Sequence, residues 1–215
     1  TGINDGVGFV ASDVGRSIRF FGSDGEWRWM KIIGRTSDTV VTVQVYNHAL
    51  PDKDGTLLWR MGAWSESSGW PAAIGSYENR LGFANTTEEP FNVWLTKSAG
   101  YDRFDINEPL VDDDGVTVKP DPSGNGLDPV NWLLGGSNLI LGTEGSLKAI
   151  GPRDSGKAFG PLNVRQLDAN TTSTFARPGL EVGNVVLFFD AYGRSMHEAV
   201  YSSEADGYVA NDVTV

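Results

Sequence analysis

Short runs of alternating apolar and polar residues, each broken by glycine, proline, asparagine or aspartate, recur along the whole chain. In 39–46 the apolar Val41, Val43 and Val45 alternate with Thr42, Gln44 and Tyr46, which places the valines on one face of a half-buried strand. Further strands are predicted at 17–21 and 27–33, with turns at 22–25 and 34–38. From residue 60 onward strands come in sets separated by tight turns: 73–77, 80–84 and 92–96; then 132–134, 138–142 and 146–150; then 184–190, 195–201 and 207–215. Twenty-seven glycines and ten prolines among valine, threonine and seven tryptophans favour short strands and turns over long helices, so the expected fold class is all-β.

The 215 residues allow one large domain or two small ones, and 40% hydrophobic content supplies ordinary cores. The predicted organisation is a small β-barrel over 1–58 and a partial β-propeller over 59–215, each strand set reading as one blade. Leu81, Leu139 and Val185 mark comparable places in the sets, at spacings near the ~40–50 residues of a blade. A long acidic loop is expected over 105–130. The part after the barrel supplies about three or four blades, whereas closure usually takes at least four. The chain is therefore expected to be a piece of a longer polypeptide.

A formal charge of −11 works against gripping nucleic acid, since phosphate binding draws on clustered Lys and Arg. It permits a wall past which a polyanion slides without sticking. With no cysteine, neither disulfides nor thiol chemistry nor Cys-ligated zinc is available. No apolar run approaches the ~18 residues of a membrane span, and residues 1–10 lack a signal-peptide pattern.

Candidate chemistry is sparse. Asp112, Asp113 and Asp114 before Gly115 invite a calcium reading. The EF-hand register fails, with Val116 at the fifth position and Gly124 at the twelfth, so a solvated acidic loop is expected. Of the two histidines, His48 and His197, the second lies near Ser195 and Glu198. Residues two apart on a strand share a face without nucleophile-to-base geometry, and no Gly-x-Ser-x-Gly elbow occurs, so an ordinary strand surface is expected. Trp27, Trp29, Trp59, Trp64, Trp70, Trp94 and Trp132 could stack on sugars, but in a β-rich chain they more often fill cores. The 28 acidic residues offer too many pairs to single out a glycosidase couple. Gly6 to Ala11 matches the loose dinucleotide fingerprint without its strand–helix context, and Asn85 and Asn170 open formal glycosylation sequons that need a secretory setting. No catalytic, cofactor or metal residues are assigned.

Several phrases nevertheless share an order with a known family. Gly62-Ala63-Trp64-Ser65, Gly69-Trp70-Pro71, Tyr77-Glu78-Asn79-Arg80-Leu81 and Val93-Trp94 leading to Tyr101 and Phe104 resemble a blade of the nozzle or hub proteins of short-tailed bacteriophages, the tail tubular protein B-like propellers. The run from Asn131 to Glu144, then Leu162-Asn163-Val164 and the run from Val185 to Val213 extend the resemblance to roughly 59–215. Residues 12–50 more loosely resemble the small barrels that interrupt such propellers, sometimes labelled after a domain of ubiquitin-activating enzyme, whose chemistry has no motif here. The resemblance implies a structural, non-enzymatic virion protein without catalytic residues or cofactors. Copies would form a ring, commonly a hexamer, meeting adaptor, fibre or needle proteins. DNA would pass through the channel without specific binding, and no membrane is involved. Such a chain would fold in the host cytoplasm and end in the phage tail. The alternatives are a carbohydrate-binding module of a tail fibre or surface lectin and, more remotely, a glycan-cleaving enzyme.

Overall fold

A computed structural model describes residues 3–46, 49–66, 68–104, 106–107, 109–121, 128–167 and 171–214. The protein is all-β, with four separate four-stranded antiparallel sheets and no α-helix among the described residues. The chain divides into two compact units, Thr1–Trp70 and Pro71–Val215.

The first unit holds β1 (Ser17–Phe21), β2 (Trp27–Arg35), β3 (Val41–Val45) and β4 (Trp59–Met61), in the order β3-β2-β1-β4. Val43 faces Ile32 and Val45 faces Met30, so the valine stripe read from the sequence lies on the sheet's buried side. The sheet is open: β3 and β4 are its edges, and no ladder among the described residues joins them into a barrel. Because β4 pairs with β1 (Ile18 opposite Met61), the first unit runs past residue 58, the expected boundary, to Trp70. Arg28, itself buried, forks both terminal nitrogens onto the Asp24 carboxylate, and Arg19 lies over the Trp27 ring at 4.6 Å.

The second unit is built from three up-and-down meanders in chain order. The first sheet of this unit comprises β5 (Ala73–Tyr77), β6 (Arg80–Ala84), β7 (Val93–Leu95) and β8 (Val116–Val118). The middle sheet comprises β9 (Val130–Gly135), β10 (Leu139–Thr143), β11 (Leu147–Gly151) and β12 (Arg165–Leu167). The last comprises β13 (Leu180–Val182), β14 (Val185–Phe189), β15 (Met196–Ser202) and β16 (Gly207–Asp212).

Packing follows from the alternation of side chains across each pleat. One face of the middle sheet sends Val130, Leu133, Leu139, Leu141 and Ile150 into a core shared with Ala73, Tyr77, Val93 and Leu95. Its other face sends Trp132, Ile140, Leu147 and Ala149 against Val186, Phe188, Ala199 and Tyr208 of the last sheet. Small residues set the closeness of the first contact: a methyl on Gly135 would fall 1.8 Å from the Ser76 carbonyl oxygen, and one on Gly75 would fall 2.7 Å from Leu133 Cβ. The backbones of β5 and β9 can therefore approach only because these strand positions carry no side chain. Gly142 likewise leaves room for the buried Trp132 indole, whose Nε1 donates to Phe175 O at 3.1 Å.

Two charged contacts tie parts of this stack together. Lys148 is buried beside Asp128, Nζ to Oδ2 3.2 Å, and also donates to Asp121 O at 2.6 Å. Such a pair stabilises little against an apolar replacement, yet losing one partner strands a buried charge. At the surface Arg165 on β12 grips Asp206 in the β15–β16 turn, and Tyr201 donates to the same carboxylate at 2.8 Å. The guanidinium and the phenol hold the Asp206 carboxyl below its ordinary value.

Candidate functional site

The β5–β6 hairpin turns on Glu78 and Asn79, whose φ angles of 47° and 56° give the positive-φ pair of a type I′ turn. Asparagine tolerates this conformation; glutamate is the strained member. Around the turn, Ser76, Tyr77, Tyr101, Gly135 and Gly136 rim an open depression of about 330 Å³. It offers the exposed Glu78 carboxylate, the exposed Asn79 amide and the exposed Tyr101 ring. Tyr77, in contrast, is buried edge-on against Phe159 with centroids 5.0 Å apart. Burial, reinforced by neighbouring Glu78, pushes its phenol up to about 12.

Beneath the turn Arg80 is almost fully buried, and among the described residues it pairs with no carboxylate. Its Nη1 donates to the carbonyl oxygens of Thr96 (2.8 Å), Asp113 (3.3 Å) and Asp114 (2.5 Å), and its Nη2 donates to those of Asp112 (2.6 Å) and Phe159 (3.5 Å). Burial draws its pKa below the ordinary guanidinium value, opposed by the nearby charges of Asp113 and Asp114. The acidic run is thus a cap of backbone carbonyls around a cation.

That finding corrects the expectation of a solvated acidic loop. Asp112 and Asp113 are exposed, but Asp114 is fully buried and accepts from the backbone N–H of Asn107 (2.9 Å) and of Val111 (3.0 Å). Val116–Val118 then pairs as β8 with β7, so part of 105–130 is sheet. Gly124 and Asp105 lie outside the described residues. Among those described, no group of three His, Asp or Glu side chains is arranged to hold a metal ion.

The Ser195–His197 pair is closer than strand spacing suggested, with Oγ 3.0 Å from Nε2. Among the described residues His197 Nδ1 is buried without a hydrogen-bond partner, and the ring stacks on Phe188 at 5.5 Å. Glu198, next along β15, projects to the opposite face and cannot orient the imidazole. The nearby backbone N–H groups of Arg194 and Ser195 both donate to Asp190 Oδ1, at 2.7 and 3.2 Å, and are not free to stabilise an oxyanion. Burial alone would raise the Asp190 carboxyl, but those two bonds together with neighbouring positive charge hold it below its usual value. His48 and Asn170 lie outside the described residues.

Of the tryptophans, Trp94 and Trp132 are buried, Trp70 is exposed, and the other four are half-buried. The match at Gly6 to Ala11 leads into a single 3₁₀ turn, Ala11–Asp13, with no strand before it among the described residues. No described helix is long and apolar enough to cross a membrane. The chain matches no family model and no curated protein. Sequence reading missed Arg80 and Asp114 as structural centres and the spacing role of Gly75 and Gly135. The glycines carried a usable signal, since glycine inside a strand marks a bulge or a close approach.

Proposed function

We propose that the chain is a structural subunit of a phage tail nozzle or hub, with the second unit serving as consecutive propeller blades and the first as the inserted small domain. One observation carries this reading: three four-stranded meanders follow one another in chain order and pack face to face, which is how blades are assembled. Rigid stacked sheets make a stiff wall, and a net charge of −11 suits a lumen that lets DNA pass. The functional demand falls on shape and self-assembly into a ring, with DNA as cargo. A sugar-binding role has less support, because only Trp70 of the seven tryptophans is exposed.

Immunogold labelling of purified tails with an antibody to this chain tests the proposal. Gold on a central ring around the axial channel is the expected result; gold confined to peripheral fibres, or absent from tails, overturns it.

A further inference from the structure

The middle sheet seals a nucleophile against a carboxyl group. Lys148 on β11 alternates with Leu147 and Ala149, which face the last sheet, so its side chain leaves the strand on the same side as Ile150, toward the first sheet. Its side chain is 3% exposed and that of Asp128 is 2% exposed, with Nζ 3.2 Å from Oδ2. Asp128 stands just before β9, and β10 lies between β9 and β11. The β10–β11 hairpin is shaped around the Asp128 carboxyl. A methyl on Gly145 would fall 2.0 Å from Oδ1, and Ser146 Oγ, itself 3.0 Å from Thr143 Oγ1, donates to Oδ2 at 3.3 Å. Lys148 Nζ is in turn held by the carbonyl oxygen of Asp121, to which it donates at 2.6 Å.

We propose that Lys148 and Asp128 condense into an intramolecular isopeptide bond, Nζ to Cγ, with release of one water. A proton passes from the ammonium to Oδ2 across the 3.2 Å contact and leaves an amine and a carboxylic acid, the forms that react. The amine lone pair attacks Cγ, and the carbonyl π electrons move onto Oδ1. A second Nζ proton goes to Oδ2, the Cγ–Oδ2 bond breaks, and Oδ2 departs as water while the Cγ–Oδ1 double bond re-forms. The Ser146 hydroxyl donates to the oxygen that leaves. No oxidant or further reactant enters the balance. Two opposite charges held out of water are costly, and condensation removes both. Fixed neighbours react with effective molarities on the order of 10⁵–10⁸ M in the most favourable cases, which offsets the preference of dilute water for the separate groups. A site closed to solvent also suppresses the reverse hydrolysis. In a chain without cysteine the bond supplies a covalent brace that needs no thiol, fastening the start of β9 to β11 across β10.

High-resolution mass measurement of the intact folded chain, followed by digestion in denaturant with a glutamate-specific protease, tests the bond. Glu144 lies between the two residues, so cleavage there places Asp128 and Lys148 on different segments. The expected result is a mass one water below that of the sequence, with the two segments recovered as one branched product. The full sequence mass overturns the proposal. A one-water loss with the two segments recovered separately also overturns it, and assigns the loss to a succinimide at an Asp-Gly step such as Asp24-Gly25. Lys148→Arg should restore the full mass and release separate segments; a branched product from that variant overturns the assignment to Lys148. The wild-type digest decides by itself should Lys148→Arg fail to fold. The mass reads a bond within one chain and tail labelling reads location, so the two can fail separately.

Discussion

The middle and last sheets of the second unit differ more in their neighbours than in their strands. LILGT of β10 and VVLFF of β14 are similarly apolar five-residue runs. Yet every residue of β10 and β11 is buried, whereas every residue of β13 is exposed and β14 alternates. Burial on both faces comes from a sheet on each side; among the described residues of the second unit, the last sheet packs against a sheet on one side alone. The lesson is that strand composition reports how many faces a strand is suited to bury, and the neighbours in the described chain decide how many it does bury.

The sharpest way to break this comparison is a matched pair of truncations. Leu141→Ala removes a fully buried side chain from the middle sheet and should cost about 2–5 kcal/mol. Leu187→Ala, on the uncovered face of the last sheet, should change the stability of the dilute monomer by less than about 1 kcal/mol. Urea denaturation at low protein concentration measures both, and equal losses would remove the distinction between the sheets.

A somewhat smaller effect sharpens the comparison from the covered side. Tyr77 is sealed between the first and middle sheets, so its phenol keeps its proton up to about pH 12 in the folded protein. With the folded pKa above the unfolded value near 10, this contribution is complete below pH 10 and is lost as pH rises through about 12. The loss is on the order of 2–3 kcal/mol. Tyr77→Phe should flatten that part of the alkaline stability profile, and an unchanged profile would show that Tyr77 is not sealed.

Much of the fold was legible in the sequence because the longer strands carry their own periodicity. Ser17–Phe21, Ala73–Tyr77 and Arg80–Ala84 fall where alternation and turn residues placed them. Each sheet's missing member was a three-residue edge strand: β4, β8, β12 and β13. Three residues hold too little of a period-two pattern to register, and such strands exist because a longer neighbour offers its hydrogen-bonding edge. Arg80 and Asp114 were illegible for a related reason. A run of three aspartates reads as solvated until a buried cation 32 to 34 residues away gathers its carbonyls. Ser195 and His197 show the converse, since their hydrogen bond is local whereas what surrounds the rest of the imidazole is a matter of tertiary placement.

Native-state hydrogen exchange tests the central claim most directly, because it reads each sheet separately. Amides of β10 and β11 should exchange only through global unfolding, with the free energy found by denaturation. Amides of β13, an edge strand whose three residues are all exposed, should exchange faster. Protection of β13 equal to that of β10 would contradict a closed middle sheet beside an open last one.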